Sequence, residues 1–270
     1  LGNARLINAA GATADISALL GVFGTIVGSI EGNGDIILGD RGLITGSNDL
    51  STEFSGVLSG AGGALGKIGE GTLTLSGVST YTGETQIVNG AAAPTRVTLP
   101  PIGTTIVGSE GTIAPGNSIG MLSVAGDITF SPDSIFEVEI NSLGQSDHVD
   151  ATGIATLNGG SVEIVPLPDY AIDTQYIILT AAGGVGGSFD GVDFADPSLF
   201  LTPTLAYDPN NVFVTIAQTA DFDSAALTPN QFAAAGGAQS LGGGDLFNAI
   251  ALLGAEDEAR SAFDAISGEI

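Results

Sequence analysis

One short stretch of the sequence matches a pattern that serine hydrolases use to present their nucleophile. Residues 116–120 are Gly-Asn-Ser-Ile-Gly, which fits Gly-x-Ser-x-Gly, and the single histidine, His148, is a candidate base for Ser118. A nucleophile elbow needs a strand before the serine and a helix after it. Here Pro115 precedes the motif, and the residues that follow, Met-Leu-Ser-Val at 121–124, are typical of a strand. The motif therefore has the residue types of a nucleophile elbow but not the strand and helix that normally flank it.

We interpret this motif as a glycine-flanked turn between strands, in which Asn117 and Ser118 cap backbone groups. A Ser118–His148 dyad is the competing hypothesis. His148 follows Ser118 by only thirty residues, which is too short for the elements that usually separate these residues in a hydrolase. Labelling of Ser118 by a fluorophosphonate probe would contradict the turn interpretation.

A second group of reactive side chains follows at Asp147, His148 and Asp150. These residue types bind metal ions, but neighbours in a strand point to opposite faces of a sheet. We therefore favour a turn-capping role for Asp147 and a solvated His148, with metal binding as the alternative.

Two acidic stretches contain the oxygen ligands that Ca²⁺ prefers. Asp190, Asp193 and Asp196 lie in one oxygen-rich loop, for which a plain acidic surface loop is the simpler interpretation. Residues 31–36, Glu-Gly-Asn-Gly-Asp-Ile, are similar to a calcium-binding nonapeptide. That motif works in tandem copies that share ions, whereas it occurs once here. We therefore predict no metal site in either stretch.

Other catalytic patterns are missing from the sequence. It contains no phosphate-binding loop, no His-Glu-x-x-His and no recognisable pair of catalytic carboxylates. We interpret Tyr81 and Tyr170 as packing residues rather than as a stacking platform for sugars. From these observations we predict no catalytic residues, no bound cofactor and no enzymatic activity for this chain.

The composition excludes several classes of partner. The 270 residues include 30 acidic and five basic side chains, for a net charge of −25, and residues 97–259 contain no lysine or arginine. Such a surface repels phosphate, so we expect no binding to nucleic acid. It also disfavours sugar-acid lyase chemistry, which needs basic residues. The chain has no cysteine, which suits passage through an oxidising compartment where free thiols would cross-link.

Short glycine-bounded segments recur along the chain. Four of them begin at Gly34, Gly71, Gly111 and Gly153, which lie 37, 40 and 42 residues apart. Half of each interval is about 20 residues, a length that suits one coil of a β-solenoid with three short strands. We therefore expect two coils per visible repeat.

The strand pattern supports a solenoid. Apolar and polar residues alternate in several segments. These segments are residues 72–75, 128–130, 134–140 and 161–165. No convincing helix separates them, which argues against an α/β sheet. Stacked coils would bury a narrow tube of Leu, Ile and Val, and the open ends of that tube would need caps.

The pattern changes near residue 200. Residues 200–207 and 212–217 flank Asp-Pro-Asn-Asn, which predicts a β-hairpin that covers the end of the solenoid. A helical tail follows, beginning with Thr-Pro-Asn-Gln at 228–231, the signature of a capping box. The apolar face of Ala259, Ala262, Phe263 and Ile266 predicts a final helix. We expect glycines at 236–237 and 242–244 to break the tail into short, loosely held pieces.

Several ordered blocks of the sequence resemble the C-terminal passenger region of type Va autotransporters. Residues 65–90 are similar to the passenger-associated transport repeat, and residues 111–122 to the block that follows it. The later matching blocks are residues 146–147, 155–162, 176–179, 183–187, 189, 228–231 and 262–269. Residues 91–105 depart from the family pattern, because they are short and contain proline where such passengers often carry another coil.

The resemblance implies an all-β fold, a right-handed parallel β-helix with a C-terminal β-hairpin cap and a short helical tail. We divide the chain into coils with the transport repeat at 1–110, C-terminal coils with a capping autochaperone region at 111–220, and a helical pre-barrel linker at 221–270. The autochaperone region is expected to fold first outside the cell and to template the other coils. Both chain ends are expected to lie within a longer polypeptide whose effector activity precedes residue 1.

The function implied by this resemblance is that of a non-catalytic stem, which supports outer-membrane translocation, folding and surface display. Its expected partners are the C-terminal outer-membrane β-barrel of the same polypeptide, the outer-membrane assembly machinery and a host or neighbouring cell surface. The expected location is the surface or outer membrane of a Gram-negative bacterium, or the medium. The alternative function is an adhesin stalk that mediates attachment or aggregation.

Overall fold

A computed structural model describes residues 2–19, 24–88, 90–93, 104–116, 118–167 and 170–268 of the chain. The strands are β1 (Arg5–Asn8), β2 (Thr13–Asp15), β3 (Thr25–Ile26), β4 (Ser29–Gly32), β5 (Asp35–Ile37), β6 (Gly42–Thr45), β7 (Thr52–Phe54), β8 (Leu58–Gly60), β9 (Ala64–Lys67), β10 (Leu73–Leu75), β11 (Thr80–Tyr81), β12 (Thr85–Ile87), β13 (Gly90–Ala93), β14 (Thr105–Val107), β15 (Gly111–Ile113), β16 (Met121–Val124), β17 (Ile128–Phe130), β18 (Ile135–Ile140), β19 (His148–Ala151), β20 (Ala155–Asn158), β21 (Ser161–Pro166), β22 (Gln175–Ala181), β23 (Val185–Ser188), β24 (Gly191–Phe194), β25 (Leu201–Tyr207) and β26 (Asn211–Gln218). A 3-10 turn (Phe222–Ala225) and three helices follow, α1 (Pro229–Gln239), α2 (Asp245–Ala251) and α3 (Glu256–Ser267).

The strands stack into a β-solenoid with three faces. Face 1 contains nine parallel strands in the order β1-β4-β7-β10-β13-β15-β18-β21-β24, and face 3 contains eight in the order β3-β6-β9-β12-β14-β17-β20-β23. Face 2 has two parts among the described residues, β2-β5-β8-β11 and β16-β19-β22. Where all three strands of a coil are described, successive strands along the chain visit the three faces in turn, and the strands of faces 1 and 3 pair in parallel with those of the neighbouring coils. The predicted parallel β-helix is confirmed.

Coil length is not uniform. Leu73 pairs with Ala92, nineteen residues later, whereas Ser161 pairs with Gly191, thirty residues later. The expected spacing of about 20 residues therefore holds for the middle of the solenoid and fails towards its C-terminal end. The extra residues there lengthen the strands and the loops between them, as in β21 with six residues and β22 with seven.

The glycine repeats do not mark whole pairs of coils. Gly71 and Gly111 both introduce strands of face 1 and lie two coils apart. Gly34 precedes a strand of face 2, however, and Gly153 precedes a strand of face 3. The expectation of two coils per repeat is therefore correct only for the middle interval. All three corners of a coil need tight turns, so similar glycine-containing segments occur at different corners.

Stacked glycines make one of these corners possible. After β4, β7 and β10 the chain turns from face 1 to face 2 at Gly34, Gly56 and Gly77 respectively. A Cβ atom built on Gly56 would lie 2.1 Å from the carbonyl oxygen of Gly34, and one on Gly77 would lie 2.1 Å from that of Gly56. Backbones of successive coils thus approach too closely for any side chain, which explains part of the high glycine content.

Apolar side chains of the three faces fill the tube. They stack in register from coil to coil, as Phe54 does on Leu75 and Ile113 on Phe136, and all four are buried. Removing such side chains from water is the main stabilising contribution, at about 25 cal/mol per Å² of apolar surface. In the later coils Phe130, Phe136 and Phe189 form a ring cluster with centroids 5.0 to 6.2 Å apart.

The C-terminal end of the solenoid is closed by a hairpin. β25 and β26 pair with each other, and β26 pairs antiparallel with β22 on face 2, so parallel stacking stops there. The helical tail then packs on this end, with α1 starting at the predicted capping box. The Thr228 hydroxyl accepts a hydrogen bond from the Gln231 backbone N–H at 3.2 Å, and the Gln231 side chain accepts one from the Thr228 N–H.

The helical tail differs from the expectation in two ways. Helix α1 continues through residues 236–237 to Gln239, so the predicted break there is wrong, whereas the glycines at 242–244 do separate α1 from α2. The tail is also firmly docked rather than loose, because Phe247 and Phe263 are buried. In the final helix Ala259 is buried with Phe263, but Ile266 is exposed. Among the described residues, none of the helices combines the length and apolar character that crossing a bilayer needs.

Candidate functional site

Ser118 lies in a turn, as the sequence predicts. The residue is exposed, and β16 rather than a helix begins three residues later. His148 is the first residue of β19, opposite Met121, and its Nδ1 lies 3.0 Å from the carbonyl oxygen of Ile177. In the described part of the chain no hydrogen bond joins Ser118 to His148. Asn117, the other predicted capping residue, lies outside the described residues.

Asp147 holds three segments together beneath this turn. Its carboxylate accepts hydrogen bonds from the backbone N–H of Gly120 at 2.7 Å and from that of Glu139 at 2.9 Å. The residue is 2% exposed, and burial raises its pKa to about 7 against the opposing effect of these two bonds. The predicted turn-capping role fits this geometry. His148 points the other way, is partly exposed and lines an open groove.

An open groove lies on face 2 beside these residues. It has a volume of about 750 Å³, and its lining includes Met121, His148, Ile177, Val78 and Ile119. No carboxylate is among its described lining residues. The groove is thus a mixed apolar and neutral polar surface on an otherwise acidic protein.

The candidate calcium ligands serve other purposes. Asp190 accepts a hydrogen bond from the Gly160 N–H at 3.1 Å and so joins one coil to the next. Glu31 accepts hydrogen bonds from Arg5, and these hold the pKa of Glu31 below its ordinary value. Asp35 accepts from the Val57 N–H at 3.1 Å. Within the described ranges, no three His, Asp or Glu side chains are grouped so that they could hold a metal ion.

The two tyrosines considered as a sugar platform are buried in the core. The Tyr81 hydroxyl pairs with Thr85 Oγ1 at 2.5 Å, and burial raises the Tyr81 pKa to about 12. Tyr170 is buried against the helical tail, with its hydroxyl 3.5 Å from the carbonyl oxygen of Asn248. Neither ring offers an exposed face for stacking.

Two arrangements of charged side chains were not predicted from the sequence. Glu137, Glu163 and Asp193 are register partners on β18, β21 and β24, so three carboxylates stack along the outside of face 1. Lys67 instead points into the tube, where its Nζ donates to the carbonyl oxygens of Ile68 and Gly69 at 2.8 Å each. Burial lowers the Lys67 pKa. The alternation of apolar and polar residues along each strand indicates that these carboxylates point outwards. It does not indicate which of them lie beside each other on neighbouring strands.

The capped end is held by contacts between aromatic rings and between amide side chains. The Phe222 ring packs between Phe200 and Phe247, with centroid distances of 5.0 and 4.9 Å. Gln218 and Gln239 exchange two side-chain hydrogen bonds of 2.8 Å, which join the hairpin to α1. Rings and amides from three sequence segments therefore fix the hairpin and the tail on the last coil.

Comparison with known proteins finds similarity to secreted proteases. An extracellular serine protease of Serratia marcescens is 35% identical over 222 residues, which cover 73% of this chain and 21% of the relative. Another extracellular serine protease of the same organism is 31% identical over 234 residues, covering 75% of this chain and 22% of the relative. The chain thus spans about a fifth of the length of these curated relatives. No protein-family model matches the chain.

These relatives correct one prediction from the sequence. The prediction of no enzymatic activity is contradicted by both relatives, which are named extracellular serine proteases. The sequence analysis weighed only motifs inside this chain, which covers 21% and 22% of the two relatives. Together, the β-solenoid and the similarity to extracellular serine proteases fit the passenger of an autotransporter that is secreted or held at the cell surface.

Proposed function

We propose that this chain is the C-terminal β-helical stem of an autotransporter passenger that belongs to an extracellular serine protease. The stem supports translocation across the outer membrane, folding and surface display of the protease. The similarity to two extracellular serine proteases and the parallel solenoid support this proposal. The outer-membrane part of the same polypeptide and the assembly machinery of that membrane are the proposed partners.

The observation that carries the proposal is the difference in strand length between the two ends of the solenoid. Each strand from β1 to β17 has two to four residues, whereas β18, β21, β22, β25 and β26 have six to eight. Longer strands make more backbone hydrogen bonds with the next coil. The aromatic clusters and the hairpin cap lie at the same end. This arrangement favours a stable C-terminal end from which the weaker N-terminal coils are built.

A solenoid can fold by this route because each coil contacts only its neighbours. The capped coils form a nucleus, and their N-terminal edge is a template on which the next coil pairs. Coils that have folded outside the cell would then hinder the chain from sliding back across the outer membrane. The acidic surface helps to keep the emerging chain in solution.

The proposal is tested by weakening the cap in the full-length protein. Phe222→Ala removes a ring that is fully buried between two others, which costs about 3 to 5 kcal/mol. We expect this variant to lose surface display and to be degraded during export. Phe232→Ala, in the same tail but half-exposed, is the matched control and should be displayed normally. Normal display of the Phe222 variant, with unfolding of the cap verified by hydrogen exchange, would refute the proposal.

A deletion separates the stem from the adhesin alternative. When residues 111–268 are removed from the full polypeptide, a folding stem loses export. A binding stalk keeps export and loses attachment to cells. We expect loss of export, measured by surface labelling of the passenger.

The protease assignment is tested with a fluorophosphonate probe on the full-length protein. Labelling is expected, and peptide mapping locates the reactive serine. A label on Ser118 would replace the turn interpretation of residues 116–120 with the Ser118–His148 dyad. Absence of any label, together with absence of peptide hydrolysis, would contradict the protease assignment and leave the stem proposal to the display experiment.

A further inference from the structure

The only sulfur atom and the only imidazole of this protein lie side by side. The sequence has one methionine, one histidine and no cysteine. Met121 on β16 and His148 on β19 are register partners on neighbouring parallel strands. Strands in a sheet are about 4.8 Å apart, and register partners project from the same face. The residues that follow each of them, Leu122 and Val149, are buried, so both partners point outwards into the groove of face 2.

The environment of His148 fixes which ring nitrogen is available. Its Nδ1 lies 3.0 Å from the carbonyl oxygen of Ile177, and a carbonyl only accepts, so Nδ1 carries the proton. In the neutral ring Nε2 then keeps its lone pair. The Ser146 hydroxyl donates to the same carbonyl at 2.8 Å and helps to hold it in place. Metal-binding histidines are commonly oriented in this way, by donation from the second nitrogen to a backbone carbonyl.

We propose that Met121 Sδ and His148 Nε2 form a two-ligand site for a soft monovalent metal ion, Cu(I) or its surrogate Ag(I). Thioether and imidazole are ligands that suit copper, and a thioether favours its monovalent state. Hard cations such as Ca²⁺ need several oxygen ligands, and no carboxylate is among the described lining residues of the groove. The net charge of −25 attracts cations to the surface, and Met121, at 51% exposed, is accessible to them.

The composition of the chain makes the test direct. With selective methyl and imidazole labelling, Met121 gives one methyl signal and His148 gives one set of ring signals in an NMR spectrum. Ag(I) is added in chloride-free buffer at neutral pH, since it is redox-inert. We expect both sets of signals to shift with the same midpoint and to saturate at one ion per chain. Cu(I), titrated anaerobically against a chromophoric chelator, should bind with the same stoichiometry.

Variants distinguish a built site from a stray thioether contact. Met121→Leu and His148→Gln should each weaken Ag(I) binding at least tenfold. Ser123→Ala changes another groove residue on the strand of Met121 and should leave the midpoint unchanged. Circular dichroism of each variant confirms that the solenoid is intact. A shift of the methionine methyl without a shift of the imidazole, or unchanged affinity in His148→Gln, would overturn the proposal.

Discussion

Adjacent residues in this protein have opposite roles because a strand alternates its faces. Asp147 lies inside and receives two backbone N–H groups, whereas His148 lies outside and bonds to the Ile177 carbonyl. The sequence suggests a cluster of metal ligands at this position, but the strand separates them. The new neighbours of each residue come from other coils. Whether two residues can act together therefore depends on the residues beside them in neighbouring coils, and not on their closeness in sequence.

The buried Asp147 carboxylate should be important for stability. Asp147→Ala leaves the N–H groups of Gly120 and Glu139 without their acceptor in a buried place, so we expect a loss of about 3 kcal/mol in the free energy of unfolding. Urea denaturation measures this. Asp150→Ala, on the exposed face of the same strand, is the control and should change little. Equal effects of the two substitutions would show that the buried bonds do not matter.

The stacked carboxylates should make stability depend on pH. Burial raises the pKa of Glu137, and Glu163 and Glu139 raise it further. The folded protein then binds this proton more tightly than the unfolded chain does. The resulting stabilisation is complete below the ordinary pKa of 4.5 and is lost as the pH rises through the folded-state pKa. Glu137→Gln should therefore raise stability at pH 7 by about 0.5 kcal/mol and leave it unchanged near pH 4.

Thermal unfolding of both proteins across this pH range measures the effect. Glu84→Gln, at an exposed position, removes one negative charge without removing a stacked carboxylate and serves as the control. A stabilisation by Glu137→Gln that is the same at both pH values would contradict the explanation.

At the scale of elements, the corners decide how coils stack. Strands of two to four residues have little stability alone and depend on their neighbours in the next coil. The glycine stack at Gly34, Gly56 and Gly77 lets the backbones come close enough for that pairing. The same local pattern occurs at other corners, which is why the spacing of glycines does not count coils.

Filling the stacked corner should weaken the solenoid. Gly56→Ala places a methyl group 2.1 Å from a backbone oxygen of the neighbouring coil, so the two coils must separate. We expect a loss of about 2 kcal/mol or more in the free energy of unfolding, measured by urea denaturation. Gly191→Ala adds its methyl group where no atom lies within 4 Å and should be nearly neutral. If both variants are equally stable, close packing at the corner is not required.

At the scale of the whole molecule, the apolar core stabilises the fold and the negative charge of the surface destabilises it. One apolar cluster extends from Ile16 in the first coils to Phe263 in the last helix. The chain has 30 acidic and five basic side chains, so the carboxylates on the folded surface repel one another. The capped C-terminal end, with its longer strands and ring clusters, is best able to withstand this repulsion.

Salt should therefore stabilise the protein. Increasing NaCl from about 0.01 M to about 0.15 M reduces the Debye length from roughly 30 Å to 8 Å and screens repulsion between carboxylates. We expect the melting temperature to rise, with the greatest effect on hydrogen exchange in the early coils. A matched concentration of a neutral osmolyte controls for effects other than screening. A melting temperature that falls or stays constant in NaCl would contradict this prediction.

The sequence by itself determined the strand alternation, the solenoid, the hairpin and the start of α1. These depend on local signals, namely side-chain period, turn residues and the capping box at Thr228. It did not reveal the length of each coil or the docking of the tail, because these depend on contacts between distant segments. The helix through residues 236–237 is an example, since packing of the tail outweighs the weak helix propensity of glycine.

Only the tertiary structure decides which residues come together in one site. Met121 and His148 lie twenty-seven positions apart in sequence and become neighbours because the coil between them has that length. Glu137 and Glu163, twenty-six positions apart, become neighbours for the same reason. Coil length is the sum of three strands and three turns, so the partner of a residue in the next coil depends on the length of every segment between the two. Register is thus a property of the stacked coils, which no single segment specifies.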